Sequence, residues 1–342
     1  MISTDKTMRA ALLTEYGAPL EVKTVARPSP KADEILVKIE ASGVCFTDVH
    51  IFRGDHASPN PLPLIMGHEG VGKVVEVGAP DGRFNIGDRV GIGYVYSACG
   101  HCRECHTGGE NYCSDFDATG YSVSGCFAEY VCLRQDWATA IPANVSAIEA
   151  APLMCAGSAA YASLKKTGLK AGDTVAIFGL GGLGQYAIQI AKQSGMNVIA
   201  VDVDKGKLDT AKALGADETV VANSDSIASI KTLGGADGCV NFAPVGATWP
   251  LMLAVCKPRA KIVLTAVPAD QLAFYAHELI ERGLQVIGSS ASNRQEMSEL
   301  LQLAAHGKIK GVISTRSLDE VNVALADLQA GKAEGRTVLD FN

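Results

Sequence analysis

The spacing of hydrophobic and polar residues divides the chain into two parts of different texture. Before Thr174, short apolar runs are broken by glycine and proline, and turn signals such as Asp81-Gly82 separate them. The runs predict strands at residues 35–39, 71–77, 89–92 and 128–132. This part of the chain is therefore predicted to be a β-rich unit with long loops.

From Thr174 onward, apolar strands alternate with stretches of helical periodicity. The predicted strands are 174–178, 198–201, 239–242, 262–264 and 286–287, and the predicted helices are 183–194 and 205–214. Such alternation is typical of a doubly wound parallel sheet in an α/β fold. Beyond it, the pattern predicts helices at 295–305 and 318–328 and a closing strand at 337–339 that can return to the β-rich unit.

Length and charge narrow the class of protein. With 342 residues the chain is long enough for two domains, and 47% hydrophobic with 20% charged residues is ordinary for a globular enzyme. The formal net charge of −7, with no block of lysine or arginine, argues against a nucleic acid or an anionic membrane as partner. The sequence has no signal-length apolar run at its start and no stretch of about 20 apolar residues, which predicts a cytoplasmic protein.

Four cysteines lie close together in the sequence, at Cys99, Cys102, Cys105 and Cys113. Four thiolates close the tetrahedral coordination of one zinc ion and leave no position for substrate, so they predict a structural site. A bacterial iron–sulfur motif would place the fourth cysteine after three intervening residues and follow it with proline, whereas here seven residues intervene and serine follows. Paired disulfides are typical of small secreted domains rather than of a long chain like this one.

A glycine-rich loop follows the predicted strand 174–178 and runs directly into a predicted helix, with the sequence Gly179-Leu-Gly181-Gly-Leu-Gly184. This context predicts a dinucleotide site. Gly179 permits the tight turn, Gly181 lets the backbone approach a pyrophosphate, and Gly184 allows close packing of the helix, whose N-terminus attracts the phosphates.

An acidic residue, Asp202, ends the next predicted strand. A carboxylate there accepts hydrogen bonds from the adenosine ribose and repels a 2′-phosphate, so NAD is favoured over NADP. Lys207, five residues further on, is also placed to reach the ribose. The alternative is that the glycines only form a turn and that Asp202 caps the helix beginning at Lys205.

A third set of ligand-type residues is scattered along the chain, at Cys45, His68 and Cys155. One histidine and two thiolates would leave an open position on a zinc ion, which is the arrangement of a catalytic site. Spacing alone does not join these three residues, since any one of them is more often a buried cysteine or a hydrogen-bonded histidine.

These residues lie in three short segments, Gly43-Val-Cys45-Phe-Thr47-Asp48-Val-His50, Met66-Gly-His68-Glu69-Gly and Leu153-Met-Cys155. The segments, together with the cysteine cluster and the glycine loop in the same order, resemble the zinc-dependent alcohol dehydrogenases of the medium-chain dehydrogenase/reductase superfamily. The resemblance covers essentially the whole chain and is closest to the yeast-like and bacterial branch. It implies a GroES-like β-rich catalytic domain at 1–154 and 291–342 and a Rossmann domain, with a doubly wound parallel sheet, at 155–290. It also implies a homotetramer, with a dimer as the alternative.

The resemblance further implies reversible hydride transfer between NAD and a small-to-medium primary or secondary alcohol. Cys45, His68 and Cys155 would hold a catalytic zinc, so that each chain binds two zinc ions. Glu69 would lie near that zinc, Asp48 would orient His68, and Thr47 would pass the substrate proton through the cofactor ribose to His50. The residues implied in cofactor binding are Gly179, Gly181, Gly182, Leu183, Gly184, Asp202, Lys207, Val267, Arg294 and Arg336, the last as a phosphate contact.

Departures from the family pattern affect the cofactor and the substrate. Phe46 stands where many relatives carry a histidine or arginine that touches the pyrophosphate, so a contact worth about 1.5–3 kcal/mol is missing. His56 and Tyr94 stand where tryptophans narrow the alcohol pocket of yeast-like enzymes, which predicts a roomier pocket lined by these two residues. Ser292 also replaces a more usual glycine.

Three other functions remain as alternatives. A polyol dehydrogenase usually has glutamate in place of Cys155, and a cinnamyl-type alcohol dehydrogenase usually lacks the acid at Asp202. A zinc-stabilised nucleotide-binding sensor without catalysis would be expected to have lost Thr47, His50 or one of the three open-site ligands, all of which are present.

Overall fold

The chain folds into two compact units in the computed structural model, which describes residues 6–268 and 270–342. One unit contains the chain up to Ser158 together with Ala291–Gly307 and Gly311–Asn342, and the other contains Ala159–Ser290 with Lys308–Lys310. Compared with the predicted boundaries, residues 155–158 belong to the β-rich unit, and Lys308–Lys310 belong to the other unit. The last difference has a local cause, because the Gln189 side chain donates to the Lys310 carbonyl (2.8 Å) and accepts from its amide (2.9 Å).

The described residues contain the following strands and helices, numbered in chain order. The strands are β1 Thr7–Leu13, β2 Glu21–Ala26, β3 Glu34–Val44, β4 Leu64–Ile65, β5 Glu69–Val77, β6 Arg89–Ile92, β7 Val95–Ser97, β8 Asp117–Ala118, β9 Tyr130–Arg134, β10 Thr139–Ala140, β11 Thr174–Phe178, β12 Asn197–Asp202, β13 Glu218–Val221, β14 Ala236–Asn241, β15 Cys256–Leu264, β16 Gln285–Gly288, β17 Ile313–Arg316 and β18 Arg336–Asp340. The helices are α1 Phe46–Arg53, α2 Arg103–His106, α3 Ala147–Ala150, α4 Ala156–Thr167, α5 Gly184–Gln193, α6 Lys205–Ala213, α7 Ser226–Thr232, α8 Thr248–Val255, α9 Ala276–Arg282, α10 Arg294–Ala305 and α11 Val321–Gln329. Short 3₁₀ turns occur at Glu110–Tyr112, Ala151–Met154 and Leu318–Glu320.

The β-rich unit is built around a seven-stranded sheet in the order β10-β6-β5-β3-β18-β17, with β9 also paired to β3. The long strand β3 is the centre of this sheet because it pairs along its length with β5, near its start with β9 and near its end with β18. The closing strand β18 therefore returns to the start of the chain. In the register of these strands, Gly43 faces Glu69 on one side while Val44 pairs with Thr337 on the other.

The other unit contains a six-stranded sheet in the order β13-β12-β11-β14-β15-β16, and every pair in it is parallel. This is the doubly wound order in which the third, second, first, fourth, fifth and sixth strands follow one another across the sheet. Ligands of such sheets bind at the carboxyl ends of the strands, beside the point where the order reverses, here between β11 and β14. The predicted α/β class with a parallel sheet is confirmed.

Two elements begin two or more residues later than predicted. The strand predicted at 128–132 begins at Tyr130, because Ala128 pairs instead with Ala10 in an isolated bridge. The helix predicted from Leu318 begins with a 3₁₀ turn, and the α-helix starts at Val321. Within the described residues, none of the helices combines the length and the hydropathy needed to span a bilayer.

Candidate metal and dinucleotide sites

The four clustered cysteines come together on one loop of the β-rich unit. Their sulfur atoms all lie within 4.8 Å of one another, and Cys99 Sγ is 4.0 Å from Cys105 Sγ. Cys102 caps the short helix α2 by accepting a hydrogen bond from the Cys105 amide at 3.5 Å. A backbone hydrogen bond from His101 is the main reason that the pKa of Cys99 is lowered to about 6.

The geometry of this loop fits a tetrahedral metal site better than a pair of disulfides. Sulfurs that share a zinc ion at about 2.3 Å lie about 3.8 Å apart, whereas a disulfide needs about 2.05 Å. The four thiols are free, and the 4.0 Å separation between Cys99 and Cys105 is close to the value for a shared zinc ion. Four sulfurs leave no place for a substrate, so this site fits a structural ion.

A second group of ligand atoms belongs to Cys45, His68, Glu69 and Cys155, and these atoms all lie within 4.8 Å of one another. Cys45 precedes helix α1, His68 directly precedes β5, Glu69 begins that strand, and Cys155 follows a 3₁₀ turn. Cys45 Sγ and Cys155 Sγ are 3.8 Å apart. The hydrogen bond with Cys155 holds the pKa of Cys45 well below its usual range.

The chemistry of this group fits a zinc ion with an open position. The His68 side chain is fully buried, and its Nε2 atom forms no hydrogen bond with any of the described residues. A buried polar atom without a partner costs about 1–3 kcal/mol, and a metal ion at this place would remove that cost. The 3.8 Å between the two sulfurs is also the separation of two thiolates on one zinc.

Asp48 connects two of these ligands from within helix α1. Its Oδ1 lies 3.1 Å from Nδ1 of His68, and its Oδ2 accepts the amide proton of Cys45 at 2.8 Å. Asp48 is completely buried, as is His68. The carboxylate therefore fixes the imidazole so that Nε2 is the atom left for a metal, and it fixes the backbone of the first thiol ligand as well.

Glu69, the fourth member of the second ligand group, is paired with Arg336. The Arg336 Nη2 atom lies 2.5 Å from both carboxylate oxygens, and both residues are buried. Burial raises the pKa of Glu69 to about 7, against the opposing attraction of Arg336. Gly43 makes room for this carboxylate, because a Cβ there would lie 1.9 Å from Glu69 Oε2.

The residues predicted to form a proton path lie on helix α1. Thr47 and His50 are three positions apart, so they share one face of the helix. His50 Nδ1 lies 3.1 Å from Asp55 Oδ2, a partner that the sequence did not indicate. The His56 side chain is exposed, with its ring 5.2 Å from that of His50.

A cavity of the β-rich unit opens next to Cys155 and Tyr94. The Tyr94 ring meets the His68 ring edge-on at 5.3 Å, and burial raises the pKa of the Tyr94 hydroxyl to about 12. Apolar side chains of Met154, Met297 and Trp137 form other parts of the wall. His56 is not among the residues that line this cavity.

The glycine loop between β11 and α5 leaves room where a diphosphate would lie. Gly179 has a φ of +88°, and a Cβ there would lie 2.6 Å from the Ala243 amide nitrogen. A Cβ on Gly184 would lie 2.3 Å from the Gly179 carbonyl oxygen, whereas one on Gly181 would meet no atom within 4 Å. Two of these glycines are therefore required by packing, and Gly181 borders open space.

Asp202 lies at the end of β12 and holds the glycine loop. Its Oδ2 accepts the Leu180 amide proton at 2.7 Å, and its Oδ1 accepts that of Asp204 at 3.0 Å. Asp204, not Asp202, caps helix α6, because Asp204 Oδ1 accepts from the amides of Gly206 and Lys207. The alternative in which Asp202 caps the helix is therefore wrong. The carboxylate oxygens of Asp202 can still accept further hydrogen bonds, as from a ribose.

The other residues implied in cofactor binding lie in both units. Gly182 and Leu183 lie directly before α5, and Val267 is exposed after β15. Arg294 begins α10 and Arg336 begins β18, which places both arginines in the β-rich unit. Their contacts with a cofactor stay predictions.

The chain matches known proteins over almost its whole length. Two family models match, an alcohol dehydrogenase GroES-like domain over residues 31–143 and a zinc-binding dehydrogenase over residues 182–306. An alcohol dehydrogenase of Geobacillus stearothermophilus is 41% identical over 334 residues, which cover 97% of this chain and 99% of the relative. One from a Moraxella species is also 41% identical, over 98% of this chain and 99% of the relative. The crystal structure of the alcohol dehydrogenase from the archaeon Aeropyrum pernix is 32% identical, with a TM-score of 0.90 over 97% of this chain and 99% of that one.

Proposed function

The chain belongs to the zinc-dependent alcohol dehydrogenases of the medium-chain dehydrogenase/reductase superfamily, and we propose that it uses NAD rather than NADP and holds two zinc ions per chain. The predicted family, the GroES-like unit with a Rossmann unit, and the alcohol dehydrogenase function are confirmed by the same matches. The protein is an oxidoreductase that acts on alcohols and on the corresponding aldehydes or ketones.

The open ligand group is the main observation from which we assign roles to the residues of the active site. Cys45, His68 and Cys155 supply three donor atoms within 4.8 Å of one another, and Nε2 of His68 has no other partner among the described residues. When bound, zinc supplies the Lewis acidity that lowers the pKa of a substrate hydroxyl, and NAD supplies the hydride acceptor. The protein orients these donors through Asp48 and balances their negative charge through Arg336.

Proton removal is assigned to helix α1. Thr47 and His50 lie on one face of the helix, which supports a path in which the Thr47 hydroxyl takes the substrate proton and His50 delivers it to solvent. The half-buried His50 ring is held by Asp55, so its proton-carrying nitrogen is oriented. Phe46, which lies 5.1 Å from the His50 ring, adds no charge to this path.

The preference for NAD rests on Asp202. Its carboxylate lies at the carboxyl end of β12, beside the glycine loop, and accepts two backbone hydrogen bonds that keep it in place. A 2′-phosphate at that position would face a fixed negative charge. The ribose hydroxyls of NAD would instead donate hydrogen bonds to the same oxygens.

The substrate range is proposed from the cavity beside Tyr94. Its wall is mainly apolar, with Met154, Met297 and Trp137 among the lining residues. A phenol at Tyr94 occupies less space than the indole that yeast-like relatives carry. We therefore propose that small-to-medium primary and secondary alcohols, including some larger than ethanol, are substrates.

One set of assays tests these assignments. NADH absorbance is followed with ethanol, butanol, hexanol, 2-butanol and benzyl alcohol, with NAD and NADP in parallel, on protein whose zinc content is measured. We expect NAD-dependent turnover, a strong preference for NAD over NADP and two zinc ions per chain. Equal kcat/KM for the two dinucleotides, or one zinc per active chain, would contradict it. A homotetramer and a cytoplasmic location stay predictions, and light scattering of the purified protein decides the first.

A further inference from the structure

Glu110 is a buried carboxylate on the four-cysteine loop that neither the metal ligands nor the proton path uses. It begins the 3₁₀ turn Glu110–Tyr112, and its carbonyl accepts the amide proton of Cys113 at 3.1 Å. The Glu110 side chain is 8% exposed, whereas that of its partner Arg294 is 52% exposed. A buried charge of this kind is retained only where a partner compensates it.

The partner lies 184 residues away in sequence, at the start of helix α10. Glu110 Oε1 accepts two hydrogen bonds from Arg294, one from its amide and one from Nε, each at 3.1 Å. The neighbouring Asn293 donates from Nδ2 to the Gly108 carbonyl at 2.6 Å. The four-cysteine loop is therefore tied to the start of α10 by three hydrogen bonds.

The same end of α10 forms part of the cavity beside Cys155 and Tyr94. Arg294 and Asn293 both line it, together with Trp137. The Arg294 guanidinium lies over the Trp137 ring, 4.4 Å from its centroid, and its Nη1 donates to the Asp136 carbonyl at 3.3 Å. The position of this part of the wall thus depends on a carboxylate that belongs to the loop of the structural metal.

We propose that Glu110 is a positioning residue that fixes Arg294 and the start of α10, so that the four-cysteine loop sets the width of the substrate cavity. The inference rests on the proposed function, because it assigns this cavity to the alcohol. Glu110 touches neither the reacting atoms nor the cavity itself. Its effect is therefore on which alcohols fit and not on the chemical step.

Glu110→Gln is the first test, because it keeps the volume of the side chain and removes its charge. We expect kcat/KM for hexanol to fall about 10-fold, mostly through a higher KM. Loss of a hydrogen bond to a charged group corresponds to a change of about 10-fold or more in an equilibrium constant. The ratio of kcat/KM between hexanol and ethanol should fall, while kcat and the Kd for NADH stay within about twofold and the zinc content stays that of the wild type. Glu104→Gln is the matched control, because its carboxylate lies on the same loop and has no partner among the described residues, and it should leave all five quantities unchanged.

Arg294→Lys tests the pair from the other side without touching the four-cysteine loop. It should reproduce the change in substrate profile at least as strongly, since it also disturbs the contacts of Arg294 with the Trp137 ring and the Asp136 carbonyl. The double variant should be no worse than Arg294→Lys alone, because the interaction with Glu110 is already lost in that variant. Independent, additive effects would overturn the proposal. So would a Glu110→Gln variant that raises the Kd for NADH and leaves the alcohol profile unchanged, since Arg294 would then act on the cofactor.

Fluorescence separates this inference from the proposed function. The chain has two tryptophans, so Trp249→Phe leaves Trp137 as the remaining indole. In that background, Glu110→Gln should shift or enhance the Trp137 emission because the guanidinium leaves the ring, and Glu104→Gln should not. Unchanged emission would overturn the positioning role whether or not the protein oxidises alcohols. A clear shift in a protein without dehydrogenase activity would support the contact and reject the function.

Discussion

Glu69 and Arg336 form a buried ion pair at the open ligand group, with Arg336 Nη2 2.5 Å from each carboxylate oxygen and the carboxylate within 4.8 Å of the other ligand atoms. The register of the sheet creates the pair, because β3 lies between the strands that carry the two residues. Two thiol ligands and a carboxylate concentrate negative charge at this point. Arg336 is a buried cation that offsets it.

Removing Arg336 should destabilise the protein strongly. Arg336→Met leaves the Glu69 carboxylate buried and uncompensated, which typically costs about 3–5 kcal/mol, with the lower end expected because burial already raises the Glu69 pKa to about 7. Urea unfolding of the zinc-loaded protein at pH 8 measures the loss. A double variant, Glu69→Gln with Arg336→Met, should recover most of it. Arg89→Met is the control, because it breaks a partly exposed pair with Glu40 and should lower the free energy of unfolding by less than about 1 kcal/mol. An equal loss of stability for both arginine variants would show that burial of the pair does not matter.

The two metal sites should lose zinc at different rates. The open group leaves a position for a chelator, whereas four thiolates enclose the other ion. Brief treatment with a chelator should therefore abolish turnover while one zinc per chain and the thermal midpoint are retained. Cys45→Ser should give a folded protein without turnover, and Cys102→Ser should lower the thermal midpoint, because a structural metal is coupled to folding. Simultaneous loss of both ions, or equal unfolding in both variants, would refute the assignment.

The two local motifs could be predicted from the sequence, whereas the contacts between distant segments could not. The glycine loop and the four cysteines each lie within one short stretch, so spacing alone indicates their chemistry. The group of Cys45, His68 and Cys155 was joined by resemblance and not by spacing. The Glu110–Arg294 pair spans 184 residues and has no signature in any local pattern. The sheet register that brings such segments together depends on long-range strand pairing.

Substitution of Asp202 should change the cofactor preference at a cost in NAD binding. The carboxylate repels a 2′-phosphate, but it also holds the amides of Leu180 and Asp204. Asp202→Ala should therefore narrow the NAD-to-NADP ratio of kcat/KM by about 10-fold or more, which is about 1.4 kcal/mol, mainly by weakening NAD. Asp204→Asn is the control, since that residue caps α6 and should leave the ratio unchanged. A wild-type protein that uses both dinucleotides equally would remove the basis of this prediction.

Asp217 should contribute stability that disappears in acid. Burial raises its pKa, but Lys192, 2.7 Å away, and the Val198 amide lower it by more, so its pKa in the folded protein lies below the ordinary value of 3.8. The folded state then favours the charged form, and the contribution is present above pH 3.8 and is lost as the pH falls through the folded pKa.

The corresponding experiment compares wild type and Asp217→Asn by urea unfolding between pH 7 and pH 3. The variant should be less stable at pH 7 by less than about 1 kcal/mol, because the pair is partly exposed to solvent, and the difference should shrink toward the acid end. Any loss of zinc in acid affects both proteins, so it cancels in the comparison. Asp209→Asn, an exposed aspartate in the same unit, should show no difference at any pH. A gap that grows toward pH 3 would have the wrong sign.

Tyr94 should determine how kcat/KM depends on the length of the alcohol. Its ring packs edge-on against His68 at 5.3 Å and lines the cavity beside Cys155, so a larger side chain there would take space from the substrate. Each further buried methylene is worth about 0.8 kcal/mol, so kcat/KM in the wild type should rise by up to about fourfold per methylene from ethanol until the cavity is full. Tyr94→Trp should flatten or reverse that rise. His56→Trp is the control, because His56 is exposed and does not line the cavity, and it should leave the profile unchanged. If kcat/KM of the wild type falls steadily from ethanol to hexanol, the roomier cavity does not bind the alkyl chain and Tyr94 does not set its length.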